Sequence, residues 1–438
     1  MSKKQDKIPI SKVSRASKVI GTSAKVGGNY LKYYTKKAFG KGSREELDKD
    51  NAKDIYDTLS QLKGSPLKVA QMLSMGEDIL PKAYTDQFAM AQNSVPALSY
   101  PLIRKTFYAN FNNYPEKIFD SFTKDAVKAA SIGQVHQASL GDKKLAVKIQ
   151  YPGVADSIAS DLNIVKPLAS KLLKVKAKEI EPYMKEVEAK LLEETNYELE
   201  IQHSIEISED CKHLEGIVFP EYLRDYSSDR ILTMTWLEGK SLSEWIATHP
   251  SQEERNKIGQ KLWDFYQFQI HVLKKIHADP HPGNFIITDK LELGVIDFGC
   301  MKILPNKFYK SYVSLLDKTI YSDKKALKKL LKKMELITED DSEKVSEMVL
   351  SLFAELFEMF GKPIYEKEFD FGDPKFFKDL FERGEELSQD KELKQNATRG
   401  SRHFIYFNRT YFGLYQLLHQ LKANIRTEIP KEIGKSVA

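Results

Sequence analysis

Between residues 277 and 299 the chain gathers the side chains that phosphoryl chemistry requires. His277-Ala278-Asp279-Pro280-His281-Pro282-Gly283-Asn284 is followed by Asp297-Phe298-Gly299. Moving a phosphoryl group needs little covalent assistance and much placement of charge around in-line oxygens. One carboxylate must orient or deprotonate the attacking hydroxyl. An amide and a second carboxylate must hold magnesium between the phosphates. Asp279 and Asn284 have the spacing of an H-x-D-x-x-x-x-N loop, and the later D-F-G supplies a further metal ligand. Either piece alone is weak. In this order and separation they predict Asp279 as catalytic and Asn284 and Asp297 as magnesium ligands.

The matching cation lies upstream. Lys148 sits in Leu145-Ala146-Val147-Lys148-Ile149, close to the V-A-I-K strand whose lysine holds the α- and β-phosphates of ATP. Apolar neighbours on both sides predict a buried strand. Its ion-pair partner is expected on the long helix that follows; Glu194 is the choice, with Glu198 and Glu200 in competition because periodicity does not separate them. Setting Val135 at the end of G-x-G-x-x-G-x-V puts Gly133 at the third glycine, Ala130 at the second and Lys128 at the first. A methyl at the middle position hinders close backbone approach and positive φ, so this loop should hold nucleotide unconventionally.

The elements that must position these groups change character along the chain. Residues 45–118 read as helical, with apolar positions broken by Gly64, Pro66 and Pro81. Val135–Ala138 and Leu145–Ile149 are strand-like and joined by Gly141-Asp142, a hairpin signal. Residues 180–207 and 251–276 look helical, Ile231–Trp236 is β-branched, and Phe285–Ile287 and Gly294–Ile296 are short buried strands. The expectation is an α+β, two-lobed protein-kinase-like fold. It divides into a basic arm (1–45), a helical extension (46–120), a β-rich N-lobe (121–237) and a helical C-lobe (238–438).

Composition excludes several classes. Of the 438 residues, 41% are hydrophobic and 29% charged, ordinary for a globular protein with a core. No run of about 18 uncharged apolar residues exists, so a membrane-spanning helix is not expected. Two cysteines, Cys211 and Cys300, make neither a disulfide scaffold nor a cysteine-rich zinc site and suit a cytosol-like compartment. Residues 1–42 carry eleven Lys/Arg against Asp6, so this segment is +10 in a chain of net +5. A basic arm on a slightly acidic body points to an anionic partner such as a lipid surface. Aromatics suited to base stacking cluster only at its far end, so specific nucleic acid is not expected.

Ala129-Ala130-Ser131-Ile132-Gly133-Gln134-Val135-His136 and the H-x-D-P-H-P-G-N run resemble the UbiB/AarF (ABC1-type) family of atypical kinases. Lys68-Val69-Ala70-Gln71 resembles that family's K-x-G-Q motif, with Ala70 for glycine, and Glu194-Thr195-Asn196-Tyr197 its E-x-D-Y segment, with Asn196 for the acid. The resemblance runs from about residue 50 to Arg409-Thr410-Tyr411-Phe412-Gly413. It implies a kinase-like fold whose N-terminal helices pack over the active site, Lys68 and Gln71 reaching the nucleotide together with Ala129, Ala130, Ser131, Gly133 and Val135. It implies a magnesium- and ATP-dependent kinase or ATPase linked to a quinone or isoprenoid-lipid intermediate. Such a protein would be cytoplasmic or peripheral on the inner face of a membrane, mitochondrial in a eukaryote. A nucleotide-binding scaffold for a biosynthetic complex and a soluble small-molecule phosphotransferase are the competing readings.

Overall fold

The computed structural model describes residues 12–38, 43–62, 83–84, 87, 97–129, 132–173, 177–389 and 400–428. Lys68, Ala70, Gln71, Ala130 and Ser131 lie outside them. The chain separates into two compact units, the first made of residues up to Gln202 with Glu221–Trp236, the second of His203–Pro220 and everything from Leu237.

The first unit opens with α1 (Lys12–Ala38) and α2 (Arg44–Leu62), which lie against each other. Lys36 pairs with Glu46 at 3.2 Å, and Asn29 Nδ2 donates to Asp54 at 2.9 Å. Part of the basic arm is thus one half of a helix pair, because acids on α2 stand opposite its lysines. After α3 (Tyr100–Phe111) and α4 (Pro115–Ile118) the chain becomes β: β1 (Ser121–Phe122), β2 (Lys128–Ala129), β3 (Gly133–Leu140) and β4 (Lys143–Gln150). Gly141 adopts φ +56° in the two-residue turn between β3 and β4, the left-handed conformation that such hairpins need. The helices α5 (Val154–Leu173), α6 (Ala177–Glu194) and α7 (Tyr197–Cys211) follow; from His203 within α7 to Pro220, including β5 (Ile217–Val218), the chain belongs to the second unit, and β6 (Ile231–Thr235) returns to the first. β1, β3, β4 and β6 form one antiparallel sheet, with β2 on β3.

One polar chain ties this sheet to its surroundings. Leu98 N donates to Gln134 Oε1 (2.8 Å), Gln134 Nε2 meets His136 Nε2 (2.8 Å), and His136 Nδ1 meets Thr123 O (2.7 Å). A carbonyl at Nδ1 requires the proton there, so Nε2 accepts from Gln134. The Gly-Gln-Val-His segment therefore serves as an internal staple of this unit.

The second unit contains β7 (Lys240–Ser241), α8 (Leu242–Ile246), α9 (Gln252–Phe268), β8 (Lys275–His277), β9 (Phe285–Ile287), β10 (Leu293–Val295) and β11 (Met301–Ile303). Beyond them come α10 (Asn306–Leu315), α11 (Lys324–Lys333), α12 (Glu343–Tyr365), β12 (Glu368–Asp370), α13 (Pro374–Gln389), α14 (Arg402–Leu421) and β13 (Asn424–Arg426). Two small sheets carry the loops of interest, ordered β5-β10-β9-β7 and β11-β8. The core is aromatic: Trp263, Phe265, Tyr266, Tyr312, Tyr411 and Tyr415 are all fully buried. Ser251 starts α9 with a capping box to Glu254, which satisfies two of its open backbone donors.

The expected helix over 251–276 stops early. After Phe268 the chain makes one π-helical turn, Gln269–Leu273, and Lys274 at φ +51° turns it into β8. Buried polar groups hold this wide turn. His271 bonds Gln267 Oε1 (3.1 Å) and the Tyr309 hydroxyl (2.9 Å), and Gln269 Oε1 accepts from the backbone N–H of His277 (2.9 Å). Burial pushes the His271 imidazole down to about 4 from an ordinary value near 6.5. The unfolded chain then binds the extra proton between those values, so stability is complete above pH 7 and falls as pH drops through 6.5 toward 4. From pH 7 to 5 the expected loss is about 2 kcal/mol. Urea unfolding at both pH values, repeated on His271→Gln, should show a smaller loss in the variant; equal losses would contradict this.

Candidate functional site

In the first unit the site is built on β4. This strand is buried on both faces from Leu145 to Gln150 except at Lys148, which is half-buried. Cross-strand register puts Val135 directly opposite Lys148, so the two side chains share one face of the sheet. Lys148 Nζ donates to both carboxylate oxygens of Glu200, at 2.8 and 3.0 Å. The Glu200 side chain is 2% exposed and that of Lys148 11%. A charge pair this buried demands close, multiply bonded geometry to offset desolvation, and here it has two hydrogen bonds.

Glu194, the residue expected in that pair, is the last residue of α6, and the carboxylate seen on Lys148 is that of its competitor Glu200. The helical run breaks at Thr195-Asn196 and restarts as α7. Asn196 Oδ1 accepts from Leu199 N at 3.0 Å, the N-cap bond that either Asn or Asp supplies. A break of this kind resets the helical phase, and Glu200 on α7 is buried towards Lys148. Tyr197, the first residue of α7, packs its ring 5.0 Å from the Lys148 ammonium. A Cβ on Gly133 would stand 2.5 Å from the Ile149 carbonyl and 3.0 Å from the Tyr197 hydroxyl, so this strand-opening position has room for glycine only. Ala129 ends β2 in register with Gln134.

In the second unit three groups collect at strand ends. Asp279 follows β8, Asn284 closes a 3₁₀ turn before β9, and Asp297 follows β10. Asn284 Nδ2 donates to the Asp279 carbonyl at 2.9 Å and lies 3.5 Å from its Oδ2. Its backbone carbonyl accepts from Ile296 N at 3.1 Å, which sets Asn284 beside the start of D-F-G. Asp297 Oδ1 accepts from Gly299 N at 3.0 Å. His277 is wholly buried, with Nδ1 3.1 Å from the Tyr266 hydroxyl and its ring edge-on to Phe298. It supports the loop. Burial and the neighbouring Asp279 raise the Tyr266 phenol well above its usual range, so it remains a donor.

Among the described residues no group of three or more His, Cys, Asp or Glu gathers as a metal cage. Magnesium binds one or two carboxylates and completes its octahedron with water and substrate phosphates. The donor set of Asp297 and the Asn284 amide oxygen is hard and oxygen-only, and fits this ion.

The sequence matches the ABC1 atypical kinase-like domain over residues 90–331, more than half of the chain. The chain belongs to the ABC1 atypical kinase-like family. The atypical kinase COQ8, mitochondrial, of Saccharomyces cerevisiae is 28% identical over 84% of this chain and 75% of its own length. AarF domain-containing protein kinase 1 of Mus musculus is 25% identical over 72% of this chain and 62% of its own. Among solved structures, Rv3197 of Mycobacterium tuberculosis in complex with erythromycin matches with a TM-score of 0.60 at 23% identity. That match covers 90% of this chain and 96% of the other, and it establishes likeness of fold. This is the α+β, kinase-like architecture that the strand and helix order implied.

Two residues of this ABC1-family chain touch the loop from far along the sequence, where spacing gave no sign of them. Arg409 on α14 places its guanidinium 3.9 Å from Asp279 Oδ1. Gly413, one turn later, faces Pro280, and a Cβ there would overlap the proline ring. Alanine gains roughly 1 kcal/mol over glycine in a helix, whereas forcing a methyl into filled space costs about 1–3 kcal/mol. Overlap against a rigid ring wins. Gly413→Ala is therefore expected to lower the melting temperature and displace residues 279–284. A differential scanning trace matching the wild type would contradict this.

Proposed function

We propose that this chain binds ATP with magnesium and transfers or hydrolyses the γ-phosphate. The observation that carries the reading is the second-unit loop, where Asn284 is hydrogen-bonded to the Asp279 carbonyl and Asp297 begins the adjoining D-F-G. In this reading Asp279 accepts the proton of the attacking hydroxyl or water. The Arg409 guanidinium at 3.9 Å fixes that carboxylate in place. Asn284 and Asp297 would hold magnesium, which would supply neutralisation of the negative charge that develops during phosphoryl transfer. Lys148, aligned by Glu200 and Tyr197, meets the α- and β-phosphates. Gly133, Val135 and Ala129 shape the strand region next to the nucleotide, with Ala130 and Ser131 completing the loop, and Lys68 and Gln71 contribute from the helical extension. The buried bidentate Lys148–Glu200 pair supports an intact phosphate grip over a degenerate scaffold.

The reaction serves quinone or isoprenoid-lipid metabolism at a membrane surface in this proposal, on the strength of the UbiB/AarF resemblance of residues 129–136 and 277–284 and of the basic arm. No described helix is long and apolar enough to cross a membrane. On α1, Leu31 and Tyr34 are exposed beside Lys32 and Lys36, a mix suited to lying on an anionic leaflet. Each lysine near such a surface is worth about 1 kcal/mol. ATP hydrolysis by purified protein should respond to vesicles of anionic lipid carrying quinone precursors, and sedimentation with them should weaken with salt. Hydrolysis and sedimentation both indifferent to lipid charge would remove the membrane part of the proposal.

A further inference from the structure

Helix α11 of the second unit holds six lysines among its ten residues and no acid. Asp323 caps its start, accepting from Lys325 N and Ala326 N, both at 3.0 Å. Leu327, Leu330 and Leu331 are buried in the core of the unit, and helical periodicity turns the lysines away from them. Two lysines are neutralised on one flank. Lys328 reaches Glu343 at 2.7 Å and Glu347 at 3.2 Å, and Lys332 reaches Glu339 at 3.2 Å. Lys325, Lys329 and Lys333 stand opposite the leucines and are exposed. Among the described residues none of these three pairs with an acid.

Their spacing of four residues makes one ridge, about 12 Å from end to end. Like charges at this spacing oppose helix formation; the leucines docked in the core hold the helix against them, so the ridge is presented in a fixed geometry. The residue type says what it fits. A lysine ammonium is a compact, strongly hydrated point charge, whereas α11 has none of the arginines whose planar fork grips single phosphates or carboxylates. It has no aromatic side chain for stacking on bases either. A ridge of point charges is complementary to a broad field of negative charge. The leucines are already committed to the core, so α11 cannot sink into acyl chains as a free amphipathic helix does. Its attachment is electrostatic alone.

We propose that the Lys325–Lys329–Lys333 ridge of α11 docks on an anionic lipid surface. This contact is separate from the basic arm, since α1 belongs to the first unit and α11 to the second. It stands whether or not the chain hydrolyses ATP.

The test is co-sedimentation of the full chain with vesicles of phosphatidylglycerol mixed with phosphatidylcholine, and with phosphatidylcholine alone. The wild type should bind the anionic vesicles only. It should release them between about 0.1 and 1 M salt, as the screening length shortens from about 10 to 3 Å. Lys325→Gln/Lys329→Gln/Lys333→Gln should weaken binding at least tenfold, since each lysine near such a surface is worth about fivefold. Glutamine matches lysine in helix propensity, and circular dichroism checks that the variant is folded. Lys240→Gln/Lys290→Gln/Lys375→Gln removes the same charge from exposed positions elsewhere in the second unit. It should stay within about threefold, because charges beyond a screening length of the surface contribute little. A wild type that ignores anionic vesicles, a ridge variant that binds as the wild type does, or equal losses in the two triple variants would overturn the proposal. So would binding lost only in Lys32→Gln/Lys36→Gln, which would leave the arm as the lipid contact. Ridge-dependent binding of duplex DNA in place of the vesicles would overturn it too, by changing the class of partner.

Discussion

Asp279→Asn is expected to slow ATP turnover by roughly 10²–10⁴-fold, the usual contribution of a positioned general base, while leaving nucleotide affinity within about twofold. The asparagine keeps the shape of the side chain. The bond from Asn284 Nδ2 goes mainly to the Asp279 backbone carbonyl, at 2.9 Å, and survives the change. What disappears is the proton acceptor and the charge facing Arg409. Steady-state hydrolysis and equilibrium binding, measured on the same preparation, separate the two effects. A variant that turns over at the wild-type rate would mean that Asp279 is not the base. In that case the competing reading, a nucleotide-binding scaffold, gains ground.

The second large effect distinguishes two glutamates six residues apart. Glu200→Gln leaves the buried Lys148 ammonium without its carboxylate, and breaking a buried pair in this way costs about 3–5 kcal/mol. Glu194→Gln, at a half-buried position on the last turn of α6, should cost less, about 1 kcal/mol. Chemical denaturation of both variants reads this contrast directly, and ATP affinity should follow it. Equal losses would show that the ion pair on β4 does not organise the strand. The same contrast shows where inference from sequence stopped. Helical periodicity across 180–207 cannot choose among Glu194, Glu198 and Glu200 unless the break at Thr195-Asn196 is known. That break depends on an N-cap bond from a residue equally at home inside a loop.

Other parts were readable because a local rule governs them. Gly141-Asp142 between two strand-like runs specified the β3–β4 hairpin, and the apolar neighbours of Lys148 specified a buried strand. The loop from His277 to Asn284 and the D-F-G after β10 were fixed by spacing alone. The α+β order, strands before most helices, followed from those pieces. Contacts that close over long sequence distances were not readable. Arg409 on Asp279 and Gly413 on Pro280 join α14 to a loop some 130 residues earlier, and no periodicity encodes such a meeting. The π turn at Gln269–Leu273 was hidden for a different reason: its residues are ordinary helix formers, and it is buried polar bonding from His271 and Gln269 that widens the turn. Along α14, Tyr411 and Tyr415 are buried in the core, whereas Phe412 is half-buried.

The central claim is that Lys148, Asn284 and Asp297 grip a magnesium-bound triphosphate. Calorimetric titration of the full chain with ATP, with and without magnesium, examines it most directly. Saturable one-site binding that needs the metal and weakens at least tenfold in Asp297→Asn is the predicted result. A wild-type protein that gives no saturable heat with magnesium and ATP, or binds equally well when Asp297 is replaced, would contradict it.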